Sequence, residues 1–92
     1  MIWDDLFQDV LKQVAEELGY RIMKTPTGFC LIDPRKPRVE FVTFGDLDKL
    51  RISIKTEQGP KLICRSSVED LQSSESRTKQ AIKAAVMNLK KE

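Results

Sequence analysis

Histidine is absent from the chain. That removes the side chain that titrates near neutral pH without a strongly perturbing environment. Ser–His and Cys–His nucleophile pairs go with it, as do most zinc sites. Catalysis would need a strongly shifted carboxylate, lysine or cysteine, and a chain of 92 residues has little interior in which to shift one. Glycine-rich nucleotide loops are missing as well: neither G-x-x-x-x-G-K-S/T nor G-x-G-x-x-G occurs. The four glycines (19, 28, 45 and 59) all fall where turns are expected, and backbone geometry accounts for them there. These absences predict a non-enzymatic chain with no cofactor.

No apolar run approaches the roughly 18 residues of a membrane span. The start, Met1-Ile2-Trp3-Asp4-Asp5, lacks the basic residues and apolar stretch of a signal peptide. Cysteine is limited to Cys30 and Cys64, too few for a disulfide framework and not in a C-x-x-C pair. Both lie in apolar, strand-like runs, which predicts buried free thiols in a reducing compartment. A cytoplasmic protein is expected.

What remains is foldable and well solvated: 40% of residues are hydrophobic and 33% charged. Residues 1–92 are expected to form one compact α+β domain. The formal net charge is only +2, but it is unevenly spread. Residues 1–20 carry five acids and one base, and the remainder fifteen bases and nine acids. The molecule is predicted to be acidic on its first helix and mildly basic elsewhere.

Trp3, Leu6, Phe7, Val10, Leu11, Val14 and Leu18 recur at helical spacing, with Asp4 and Asp5 in the first turn and Gly19 as the terminator. Short strands are predicted over 20–24, 29–33, 39–44, 50–55 and 61–65. The first two are joined through Pro26 and Gly28, and the last two through Gly59 and Pro60. Asp33-Pro34-Arg35-Lys36-Pro37 must be an exposed connection, because neither proline can donate a ladder hydrogen bond. Leu50, Ile52 and Ile54 alternate with Arg51, Ser53 and Lys55, the clearest strand pattern in the chain. Ser66 and Ser67, followed by Glu69 and Asp70, predict a capped helical turn. A last helix is expected from about residue 75 to 90, its stripe being Thr78, Ala81, Ile82, Ala85, Val86 and Leu89. The predicted fold is a five-stranded antiparallel meander. Both main helices lie on the face of Leu50, Ile52, Ile54, Leu62 and Cys64, and the other face is open.

That open face carries the candidate site. Pairing the last two strands as a hairpin sets Lys55 opposite Lys61 and Arg51 opposite Arg65, like charge against like. One register of strand 39–44 brings Val39, Phe41 and Thr43 beside these bases, the interleaving of aromatics and cations that single-stranded nucleic acids favour. A slip of one residue buries Phe41 and places Glu40 among the bases instead. Ile63 is expected to share the outward face with Lys61 and Arg65. Apolar groups rimmed by charge on such a face predict a protein partner or a homodimer. Arg35, Lys36 and Arg38 add positive charge from the loop. Asp46 and Asp48 form a D-x-D, but the other ligands of a calcium loop are missing and turn chemistry explains both.

The segment Ser76-Arg77-Thr78-Lys79-Gln80-Ala81-Ile82-Lys83-Ala84-Ala85 sets bases near a helix start before an alanine-rich side. It resembles the second helix of double-stranded-RNA-binding domains, which also run helix, strands, helix. The resemblance implies phosphate contacts from Arg77, Lys79 and Lys83. It covers about ten residues, lacks the Gly-Pro-x-His loop and the paired lysines of that family, and meets five predicted strands where the family has three. The reading carried forward is a binding or regulatory module with a protein partner at the open sheet face. The alternative is a nucleic-acid-binding domain using the basic sheet face and the basic side of the last helix.

Overall fold

The first helix, α1 (Ile2–Leu18), ends where the sequence supplies a glycine: Gly19 sits at φ +77°, and the amide of Tyr20 donates to the Ala15 carbonyl at 2.8 Å. The computed structural model describes residues 2–73 and 77–90. Five strands follow, β1 (Arg21–Thr25), β2 (Gly28–Ile32), β3 (Val39–Asp46), β4 (Lys49–Thr56) and β5 (Gly59–Ser66), then α2 (Val68–Gln72) and α3 (Arg77–Lys90). The sheet order is β1-β2-β3-β4-β5, antiparallel throughout. This is the expected α+β meander with its short helical turn and two terminal helices.

The stripe of α1 buries Phe7, Val10, Leu11 and Val14 against Phe29 and Leu31 of β2, Phe41 of β3 and Leu50, Ile52 and Ile54 of β4. Leu71 of α2 and Ile82 and Val86 of α3 complete the same core. The Phe7 ring lies 5.8 Å from Phe29 and 5.9 Å from Phe41, the latter edge-on. Ser67 caps α2 in a full capping box, its hydroxyl accepting from the Asp70 amide at 3.2 Å while the Asp70 carboxylate accepts from the Ser67 amide at 3.0 Å. The second predicted cap, at residues 73–75, falls partly outside the described residues. A buried hydrogen bond between the Ser66 and Thr78 hydroxyls ties β5 to α3.

Two glycines are needed for reasons other than turns. Gly28 has a nearly extended backbone, but a Cβ there would stand 2.5 Å from the Phe41 carbonyl oxygen. Gly45 lies within β3 rather than in a turn, and the indole of Trp3 packs where its side chain would be, 2.9 Å from an added Cβ. Conversely, the β3–β4 hairpin turns through Leu47 and Asp48, and Leu47 takes φ +50° without being glycine. An L-residue in that region forfeits about 1–2 kcal/mol. Leu47→Asn, a residue that tolerates the conformation, is expected to raise stability by about 0.5–1 kcal/mol, read as a higher melting temperature.

The β2–β3 loop is fastened to the end of α1. The Asp33 carboxylate accepts from the Arg35 amide at 2.9 Å and meets Lys36 at 3.3 Å. Lys36 in turn donates to the Leu18 carbonyl and lies 4.8 Å over the Tyr20 ring. The Arg35 amide, helped by Lys36, holds the Asp33 carboxyl below its ordinary value. A carboxyl lowered by folding stabilises the fold above its unfolded pKa of about 4, and that contribution is lost as pH falls through the lowered folded value. Asp70 and Glu17 are lowered as well. Asp33→Asn is therefore expected to flatten part of the acid limb of stability and leave the rest, measured as urea midpoints between neutral pH and about pH 3.

Candidate functional site

All three helices contribute to the core that covers one face of the sheet, and side-chain alternation turns the other set of residues away from it. The ladder places these in rows. One row runs Phe44, Arg51, Arg65, and the next Gly28, Val42, Ser53, Leu62. A third begins Met23, Cys30, Glu40 and continues through Lys55 to Pro60. Phe44 is 65% exposed, Met23 44% and Leu62 40%, large values for apolar side chains in strands. Leu47, at the tip of the hairpin that carries Phe44, is 97% exposed.

The register of β3 is the slipped one. Phe41 is fully buried opposite Phe29 and Ile54, so it does not belong to the basic face, and Glu40 stands there instead. Glu40 accepts Arg38 at 3.2 Å and Lys55 at 3.4 Å, which neutralises much of the charge expected from Lys55. A register shift opposite Ile52 and Ser53 changes β5 in the same way. Cys64 pairs with Ile52, but Leu62 pairs with Ser53, which leaves Ile63 as the extra residue. Leu62 therefore leaves the helix-covered face, where it was expected, and lies outward. Lys61 pairs with Ile54 rather than standing across from Lys55, whose partner is Pro60. Ile63, expected outward, is half-buried and packs on the core.

The other predicted bases divide. Lys36 is committed to the loop and to α1. Lys79 and Lys83, expected as phosphate contacts, both meet Glu17 of α1, at 2.9 and 3.5 Å. The Lys79 hydrogen bond is the main cause of the lowered Glu17 pKa. These pairs fasten α3 to α1 and remove most of the basic helix surface that the resemblance implied. Arg77 is exposed at the start of α3, and Arg35 is 88% exposed with only a long contact to Asp33, at 3.8 Å.

Arg51 and Arg65 keep their predicted places directly opposite each other. Among the described residues, no carboxylate lies within salt-bridge distance of either. The aromatic beside them is Phe44, which the sequence reading missed. Its signal was parity: Phe44 shares its side of the strand with Glu40 and Val42, but the strand was ended at Phe44, where alternation carries least weight.

Groups for covalent or metal chemistry are sparse here. Cys30 is the buried free thiol expected, and it lies on the open-face side between Met23 and Glu40. Burial pushes the Cys64 thiol up, which keeps it protonated at neutral pH. Among the described residues, no three of His, Cys, Asp and Glu gather as a metal site. No described helix is long and apolar enough to cross a membrane. A groove of about 760 Å³ opens at one end of the sheet between Tyr20, Val39, Lys55, Lys61 and Leu89. No protein-family model, curated protein or solved structure matches the chain.

Proposed function

We propose that the chain is a non-enzymatic binding module that engages a protein partner through its open sheet face, in a reducing compartment such as the cytoplasm. The observation that carries this reading is the bare face itself, where Phe44 and Leu62 are exposed beside Arg51 and Arg65, and Met23 is exposed on the far edge strand. Protein interfaces favour this composition: aromatic, methionine and arginine at the centre, with charge at the rim. Leu47 supports it from the hairpin tip, because a strained and solvated leucine gains from a surface that would cover it. Free thiols at Cys30 and Cys64 suit the compartment.

Phe44→Glu tests the reading. Phe44 is exposed, so folding should be unchanged, read as an unaltered melting temperature. Binding of a partner recovered by the wild-type chain should weaken at least about tenfold, the scale of an aromatic hot spot. Equal recovery by Phe44→Glu and wild type would remove the open face from the interaction.

Nucleic-acid binding is the second reading, and the Phe44–Arg51–Arg65 row is what favours it. Its test is a salt titration with short RNA and DNA. An electrostatic contact predicts affinity that falls steeply between about 50 and 200 mM salt.

A further inference from the structure

We infer that the Phe44–Arg51–Arg65 row is a docking site for an acidic peptide segment. One carboxylate or a pair of them would lie between the two guanidinium groups, with a neighbouring apolar side chain on Phe44 and Leu62. The inference rests on the protein-binding reading of the open face and gives the chemistry of the partner.

The argument is charge complementarity. Two arginines directly across an antiparallel ladder repel each other. Elsewhere on the sheet and helices the fold answers this kind of problem internally: Glu40 serves Arg38 and Lys55, Glu17 serves Lys79 and Lys83, and Asp33 serves Lys36. Arg51 and Arg65 receive no such partner among the described residues. Both are exposed, and guanidinium groups are built for paired hydrogen bonds to a planar carboxylate. Phe44 follows in the same row and Leu62 in the next, so the anion site has an apolar floor beside it.

The surroundings select the occupant. A polynucleotide needs a track of cations, and here the next row is occupied by Gly28, Val42, Ser53 and Leu62, while the row after it holds Glu40. Asp46 and Asp48 flank the hairpin tip on the other side. Lys49 stands across from Asp46 in the row beyond, and Arg38 and Lys55 share Glu40, so the cations that face each other across the ladder without an acid are this one pair, which matches a discrete carboxylate site. A second copy docked symmetrically would bring its own Arg51–Arg65 pair, and Glu40 of this face already serves two cations while Asp46 stands across from Lys49.

Selection of displayed short random peptides on the full chain tests this. The probes are then the selected peptides, synthesised and measured by fluorescence anisotropy. They should carry acidic residues next to an aromatic or large aliphatic one. The double variant R51A/R65A should weaken them at least about tenfold, and F44A should also weaken them. Peptides with Glu and Asp replaced by Gln and Asn should lose the same factor on the wild-type chain. Affinity should fall as salt rises. The charge-reversed R51E/R65E should select basic peptides instead. R51A/R65A removes a like-charge pair, so its melting temperature should equal or exceed that of the wild type.

Selected peptides without acidic preference, lost in F44A but unaffected by R51A/R65A, would overturn this inference and leave the open-face reading standing. Peptides insensitive to F44A and R51A/R65A alike would overturn both. Binding of an oligothymidylate that depends on Arg51 and Arg65, with no acidic peptides enriched, would assign the row to nucleic acid. Self-association at micromolar concentration that R51A/R65A abolishes would assign it to a second copy.

Discussion

Phe41→Ala is expected to remove about 3–5 kcal/mol of stability, a large part of the margin of about 5–15 kcal/mol that holds most domains folded. Phe41 is fully buried and lies opposite Phe29 in one ladder and Ile54 in the other. Its ring meets Phe7 of α1 edge-on, 5.9 Å between centroids. Truncation therefore loses the transfer free energy of the ring and leaves a cavity among three elements. Those elements are paired strands under a helix anchored by five buried side chains, so they have little room to collapse into it. Phe41→Leu retains most of the volume and is expected to cost less than about 2 kcal/mol. Urea unfolding followed by circular dichroism measures both. The outcome also separates the two registers of β3, since an outward Phe41 would have left stability nearly unchanged and reduced only binding.

That difference marks the limit of what the sequence could tell. The α1 stripe was legible because seven apolar positions share one helical face and, Ala15 apart, the residues between them are polar. Strand β4 was legible for the same reason at period two: Leu50, Ile52 and Ile54 against Arg51, Ser53 and Lys55. Strand β3 offers no such contrast. Val39, Phe41 and Thr43 form one side and Glu40, Val42 and Phe44 the other, so each side holds apolar groups. The decision comes from Phe7, which sits 34 positions away in the chain and selects the side that presents Phe41. Strand β5 departs from its expected facing before Cys64, over residues 61–63, because its register shift is a property of the pair with β4 and leaves no mark on local alternation.

The candidate site was legible in outline for a related reason. Arg51 opposite Arg65 was expected from an unbroken hairpin register, and it holds because the register shift opposite Ile52 and Ser53 restores a pairing that the turn, with Lys55 on Pro60, displaces by one residue. The neutralisation of Lys79 and Lys83 by Glu17 depends on the contact of α3 with α1 across the whole chain, which no local pattern records. Counting bases therefore overstated the positive surface. The arginine pair stands out on the sheet because Lys55 lost charge and Lys61 lost position there, while on the helix Lys79 and Lys83 were neutralised and Arg77 alone of the predicted bases stayed exposed.

Gly28→Ala is expected to cost about 1–3 kcal/mol, the range of an overpacked site, although it adds a single methyl group near the surface. The reason is what the methyl would meet. An ideal Cβ falls 2.5 Å from the Phe41 carbonyl oxygen and 3.4 Å from its carbon, both backbone atoms, and no rotamer can move them aside. Relief requires β2 and β3 to separate where Gly28 pairs with Val42 and the Thr43 amide donates to the Thr27 carbonyl at 3.4 Å. The same ladder, one residue further, holds Phe29 against Phe41. A shift there loosens the contact that fixes which side of β3 is buried, and with it the exposure of Phe44 beside Arg51. Gly28→Ala should therefore lower the urea midpoint and, under conditions where the chain remains folded, also weaken whatever the open face binds. Gly19→Ala is the control. Its added Cβ meets nothing within 4 Å, and only the φ of +77° penalises it. It should lower stability by about 1 kcal/mol and leave binding by the folded chain unchanged. Loss of binding in both variants alike would place the effect of Gly28 in global stability rather than in the register of β3.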